Sequence, residues 1–255
     1  VLALDGSRLW AGCGASLYQF ECSDPMALQE VGQLRLPGRI EDIAVNGHVL
    51  LIAMGEAGVV SVDAGDPESP TTTIVDEDFV SARALAVQNG VLYVADGLGG
   101  LRMFDISTPQ EPTLLATYAT TGAATDVAVQ AGIALVLDNS VGLHLLNVAD
   151  PANPIPLAVY AGAPFGNALA VQDTMACVLD STGKLSLIDV SDPVLPAPLG
   201  HIYLSAPGTG LALRGTTVFA ATGDLGFDVI DVSNPLEPTL VRAATVSYTH
   251  LRAHE

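Results

Sequence analysis

The chain has 255 residues, is 49% hydrophobic, and carries a formal net charge of −19 from 28 acidic residues against one lysine and eight arginines. That field excludes nucleic acid as a partner, because affinity for a polyanion rests on Lys and Arg neutralising phosphates. The apolar content excludes a disordered chain, and no apolar run approaches the roughly 18 to 20 residues that cross a bilayer, so no transmembrane segment is predicted. In chain order, a first predicted strand holds Leu2-Ala3-Leu4, a second holds Trp10 as a core residue, and a third runs through Leu17 and Phe20 towards Pro25. The same succession then returns: Ile43-Ala44-Val45 with the turn "VNGHV" (45–49), and Leu85-Ala86-Val87 with "VQNGV" (87–91). Asn-Gly between apolar runs predicts a two-residue hairpin. A second strand such as "VLYVAD" (91–96), a glycine-rich turn "DGLGG" (96–100), a third strand "LRMFDIS" (101–107) and a fourth, "PTLLATYAT" (112–120), complete that unit. Val127-Ala128-Val129 with "IALVLD" (133–138), Leu169-Ala170-Val171 and Leu211-Ala212-Leu213 open three more.

The units are spaced by 42 residues. Pro25, Pro67, Pro109, Pro151, Pro193 and Pro235 mark the period, and Pro70, Pro112, Pro154, Pro196 and Pro238 follow three residues later, with Leu28 in the first copy. Proline removes a backbone donor and fixes φ, so it ends the third strand and steers the chain towards the fourth. Eight residues before each anchor stand Leu17, Val59, Leu101, Leu143, Leu185 and Phe227; five before stand Phe20, Val62, Phe104, Leu146, Ile188 and Ile230. An odd difference puts these two apolar columns on opposite faces of one strand. Four short strands per repeat, buried on both faces, predict an all-β fold: a β-propeller of six four-stranded blades over residues 1–245, either a closed ring or part of a larger one. The last ten residues, "VSYTHLRAHE" (246–255), break the pattern and resemble a translated sequencing-adapter tail, so they are left out of the fold.

With the copies aligned, "LRMFDISTPQEP" (101–112), "LSLIDVSDPVLP" (185–196) and "FDVIDVSNPLEP" (227–238) resemble the LVIVD repeat. The resemblance implies propeller blades in bacterial or archaeal proteins that are secreted or held at the cell surface. It therefore implies an extracellular, surface or periplasmic location, with any signal peptide or anchor outside this sequence. It implies no reaction, because the family has no shared catalytic motif.

The acidic column of the repeat is Asp63, Asp105, Asp189 and Asp231, with Glu21 and Asn147 in the other copies. Asn147 keeps an acceptor oxygen but no charge, which favours structural turn caps over a ring of metal ligands. Asp96, Asp138, Asn139, Asp180 and Asp224, in turns between second and third strands, read as turn chemistry too. Copies differ just before each inner strand, at Glu41-Asp42, Arg83-Ala84, Thr125-Asp126, Asn167-Ala168 and Thr209-Gly210. On a propeller these positions converge on the channel mouth, so Glu41, Asp42, Arg83, Asp126 and Asn167 are the candidate ligand-binding residues. The favoured reading is a non-enzymatic binding or scaffold module for a protein, glycan or small molecule, without cofactor.

The rival is a divalent-cation-dependent hydrolase of the lactonase or esterase kind. Some propeller hydrolases hold a cation at the channel with Glu, Asn and Asp, and Glu41, Asp42, Asp126 and Asn167 are the residues that could do so, with Ca²⁺ the natural ion for oxygen ligands. No catalytic base stands out. His48, His144 and His201 occupy different strand positions and have no zinc spacing; no G-x-S-x-G occurs, and "GLGG" (97–100) lacks a dinucleotide loop's third glycine. Cys13, Cys22 and Cys177 are too few for a disulfide framework and are expected to be buried free thiols.

Overall fold

A computed structural model of the chain describes residues 1–24, 26–65, 70–76, 78–108, 111–223 and 226–244. The anchors Pro25, Pro67 and Pro109, the turn residue Asp224 and the tail 246–255 lie outside the described residues. Six antiparallel sheets of four strands follow one another along the chain. Blade 1 is β1 (Leu2–Asp5), β2 (Arg8–Cys13), β3 (Ser16–Glu21) and β4 (Gln29–Arg35). Blade 2 is β5 (Asp42–Asn46), β6 (Val49–Ala53), β7 (Val59–Asp63) and β8 (Thr71–Asp76), and blade 3 is β9 (Ala84–Gln88), β10 (Val91–Ala95), β11 (Leu101–Asp105) and β12 (Thr113–Tyr118). Blade 4 is β13 (Ala124–Gln130), β14 (Ile133–Asp138), β15 (Gly142–Asn147) and β16 (Ile155–Tyr160). Blade 5 is β17 (Gly166–Gln172), β18 (Met175–Asp180), β19 (Lys184–Asp189) and β20 (Ala197–Tyr203). Blade 6 is β21 (Gly210–Arg214), β22 (Thr217–Ala221), β23 (Phe227–Asp231) and β24 (Thr239–Ala244). The sheets are arranged as a propeller, with the first strand of each blade innermost.

Turn chemistry sets each hairpin. Asn89 and Gly90 have φ of 52° and 75°, the two left-handed positions that a tight turn matching the twist of β9 and β10 requires. Between β10 and β11, Gly100 has φ 79°, and a Cβ there would run into the Tyr118 carbonyl of the outer strand. Gly142 meets the Tyr160 carbonyl in the same way one repeat later. Gly100→Ala is expected to lower stability by about 1–2 kcal/mol from the backbone conformation alone, read as a shift in urea midpoint with unchanged slope. Where third and fourth strands pair, the register slips at a common place in five blades, for example between Met103 and Phe104 and between Leu145 and Leu146, and in blade 2 at the start of β7, between Val59 and Val60. Such bulges increase local twist.

The core is divided among the blade interfaces. Five apolar clusters fill the five successive contacts from blade 1 against blade 2 to blade 5 against blade 6. The cluster between blades 2 and 3, for instance, packs Leu51, Ala53, Val59, Val75 and Phe79 against Leu85, Leu92, Val94, Phe104 and Ile106. Burial of a side chain such as Phe104 contributes about 2–3 kcal/mol. Trp10 is buried in the first of these clusters. All three cysteines are free thiols, but only Cys177 is buried as expected, where burial pushes it up to about 12; Cys13 is exposed and Cys22 half-buried, because both lie in blade 1 outside its apolar cluster.

Candidate functional site

Loops between blades and turns between second and third strands share one rim, which we call the upper rim. Asp42 begins β5 there. Its Oδ1 accepts from its neighbour's N–H, Ile43, at 2.8 Å, while Oδ2 accepts from the N–H of Leu85 in the next blade, also at 2.8 Å. Asp126 repeats this two blades on, accepting from Val127 at 2.7 Å and from Leu169 of blade 5 at 2.6 Å. Each carboxylate therefore clasps two inner strands that are not otherwise paired. Thr125 donates its hydroxyl to the Gly166 carbonyl at 2.9 Å, and the Asn167 amide donates to the Gly208 carbonyl at 3.1 Å, again across a blade boundary. At the lower end of the same inner strands Gln88, Gln130 and Gln172 accept from the backbone N–H groups of Gly132, Asp173 and Gly215 in the following blades.

Those glutamines lie 42 residues apart, so the spacing marked them as one structural column, while the N–H groups they accept from appear only once blades stack. The candidate mouth residues divide accordingly. Asp42, Asp126 and Asn167 hold blades together, whereas Glu41 and Arg83 are exposed, with Glu41 3.6 Å from the guanidinium of Arg39. Burial pushes the Asp42 carboxyl up, and it pushes Asp126 up to about 7, with the charge of Asp42 adding to the effect. The accessible surface of Asp126 is of intermediate extent, yet its carboxylate is surrounded by protein, and the latter decides its solvation. Two acids are thus brought within electrostatic reach. Among the described residues no group of three or more His, Cys, Asp or Glu side chains could hold one metal ion.

The repeating acidic column closes turns. Asp63, Asp105, Asn147, Asp189 and Asp231 each accept through Oδ1 from the N–H two residues on, at 2.8 to 2.9 Å. Backbone and hydroxyl donation from Ser107 and Ser233 hold Asp105 and Asp231 below the usual carboxylate range, and Ser191 does so for Asp189. Asp96 and Asp138 act over a longer range. Asp96 accepts from Ser81 and Val80 in the loop before its blade, and Asp138 accepts from Gly122 of the corresponding loop as well as from Ser140. Burial dominates at Asp96 and raises its pKa; at Asp138 burial is outweighed by the donors from Gly122, Ser140 and Val141 and by His144, so its pKa is lowered. Asp180 closes its own turn through Thr182 and Lys184.

Seven residues before the anchor, the third strands carry buried polar groups that no repeat rule announces. Arg102 places Nη2 2.8 Å from Asp76, with its guanidinium 4.6 and 5.1 Å from the rings of Phe79 and Phe104. His144 lies between the Tyr118 hydroxyl, 3.1 Å from Nδ1, and Asp138, 3.3 Å from Nε2. Asp228 accepts from the N–H and the hydroxyl of Ser205.

What the upper rim leaves free is a different set: Glu41, Arg83, Val80, Leu98 and Phe165 are all exposed. Leu98 follows Gly97, against which Ser81 and the Arg83 side chain pack. Phe165 has φ 61°, an uncommon conformation for a bulky residue. It is held there because its N–H donates to the Asn139 carbonyl and its own carbonyl accepts from Ser181, both at 3.3 Å.

The fold is shared with solved structures of low sequence identity. A crystal structure of the computationally designed Ika8 protein matches with 12% identity and a TM-score of 0.71, over 96% of this chain and 74% of that one. A functionally unknown protein from Desulfotomaculum acetoxidans matches with 15% identity and a TM-score of 0.72, over 91% and 76%. A chain of the mitotic checkpoint complex matches with 12% identity and a TM-score of 0.77, over 98% and 78%. No curated protein matches the chain. The LVIVD repeat matches residues 37–74, 81–120, 167–202 and 209–246, more than half of the sequence. With its 42-residue blades and their Asx-capped strand exits, the chain belongs to the LVIVD repeat family.

Proposed function

We propose that this chain is a non-enzymatic binding module of a secreted or surface-held protein, and that it engages a protein or glycan with its upper rim. The observation that carries the reading is the division of labour at that rim. The polar groups nearest the channel are spent on clasps between blades, while an aromatic ring is presented to solvent on a loop held in a left-handed conformation. Strained residues fixed by their surroundings concentrate at ligand clamps. Exposed aromatic and arginine side chains are the groups that anchor interfaces. Location outside the cytoplasm is supported by the kinds of protein in which the repeat occurs.

The test immobilises the chain and passes defined glycans and peptides over it. Saturable binding is expected, weakened about tenfold or more by Phe165→Ser or Arg83→Glu and untouched by Leu195→Ser on the lower rim. Calcium-dependent hydrolysis of a lactone or ester, lost in Glu41→Gln, would overturn the proposal in favour of a hydrolase.

A further inference from the structure

Among the described residues the two terminal blades each leave one face uncovered, and the two faces are of complementary kind. In blade 6, Phe219 and Phe227 are 41% and 43% exposed. Their counterparts in blade 3, Tyr93 and Leu101, are 3% and 0% exposed because blade 4 covers them. Ala212 and Ala221, on the same side of blade 6, are exposed too. In blade 1, Leu2 and Leu4 are 68% and 63% exposed, and they share their side with Leu9, Ala11, Tyr18 and Phe20 through direct cross-strand pairing. The column of Phe20 is fully buried in every later blade, where the preceding blade covers it. Among the described residues no apolar cluster joins blade 6 to blade 1, and β21 is not packed on β1 as β17 is on β21. The glutamine clasps stop at the same place: the column of Gln88, Gln130 and Gln172 holds Arg214 in blade 6.

We infer that these faces are covered by at least one further LVIVD-type blade of the same polypeptide, inserted between blades 6 and 1. Blade 6 offers the side that elsewhere receives a following blade; blade 1 offers the side that elsewhere receives a preceding one. A self-complementary dimer patch would present one surface twice. Here the faces continue an interface already built five times along one chain. The six-bladed arc also accounts for 74–78% of the length of the three solved chains compared above. An inserted blade would bury Phe227 and Leu4 as Leu101 and Phe104 are buried now.

The experiment compares the 255-residue chain with versions extended at residue 244 by one and by two copies of residues 163–204, each with and without Phe227→Asp or Leu4→Asp. In the chain as it stands, both substitutions are expected to leave the melting temperature nearly unchanged and the dye 8-anilinonaphthalene-1-sulfonate to bind. In an extended chain the same substitutions should lower the melting temperature by several degrees, and dye binding should fall. Two results would overturn the inference. One is that Phe227→Asp destabilises the unextended chain as strongly as Leu101→Asp, which means that six blades already close. The other is sedimentation as a stoichiometric dimer whose association Phe227→Asp abolishes, which means that a second copy covers the faces.

Discussion

Replacing Asp126 by Asn is expected to flatten the dependence of stability on pH between about 4 and 7. In the native protein, burial and the neighbouring Asp42 raise the Asp126 carboxyl to about 7, whereas in the unfolded chain it titrates near 3.9. Between these values the folded state holds a proton that the unfolded state has released, so stability falls as pH rises. A tenfold difference in proton affinity between the two states corresponds to roughly 1.4 kcal/mol; with part of the side chain accessible, a decline of about 2–4 kcal/mol is expected across the window. Asn has no charge to desolvate, but it presents an NH₂ to one of the two N–H groups that the carboxylate accepts from Val127 and Leu169. Leaving that donor without an acceptor costs about 1–3 kcal/mol at every pH. The urea-unfolding curves of Asp126→Asn and the wild type should therefore cross, with the variant weaker at pH 5 and equal or stronger at pH 8. The slope that remains is shared by Asp42 and Asp96, both also raised by burial, and Asp42→Asn should reduce it further. Parallel stability profiles for wild type and variant would show that Asp126 is ionised throughout.

The second large effect is expected at Arg102. Its side chain is 8% exposed and that of its partner Asp76 is 23% exposed, so the pair is buried rather than washed by solvent. Arg102→Ala would leave Asp76 without its counter-charge, remove a cation from the vicinity of Asp96, and open a void against Phe79 and Phe104. Breaking one partner of a buried pair costs about 3–5 kcal/mol; in a chain of this size that is a fall in melting temperature of roughly 6–20 °C. Arg102→Met keeps the contact with both rings but leaves Asp76 equally unpaired, so it should recover only the part of the loss that comes from the void. A loss equal to that of Arg102→Ala would mean that the charge, not the packing, dominates.

Much of the fold was legible in the sequence because its information is repeated. One copy such as "LRMFDIS" could be a strand in many folds, but six copies at a constant spacing leave few ways to bury two apolar faces per strand. Turn chemistry was equally local: Asn89-Gly90 needs only its neighbours to make a hairpin. The candidate site was harder to read. Asp42 and Asp126 were placed at the channel mouth by their position in the repeat, yet position alone does not say what a carboxylate accepts. Their partners, Leu85 and Leu169, lie 43 residues away and become neighbours only when blades stack.

Residues that depart from the repeat mark the limit of that reading. Arg102, His144 and Asp228 occupy one column, but each finds a different partner: Asp76, the Tyr118–Asp138 pair, and Ser205. A periodic rule has no means of anticipating three separate solutions. Nor could the apolar columns reveal that Phe227 and Phe20 would be uncovered, since both obey the pattern as well as Leu101 and Phe104 do. By itself the sequence determined the strand count per repeat, the turns, the alternation of faces and the acidic caps, all of which depend on contacts within about 42 residues. Tertiary structure alone decided which polar groups clasp neighbouring blades, which carboxyl is driven to hold its proton, and which apolar faces remain open, because each depends on how one blade is covered by the next.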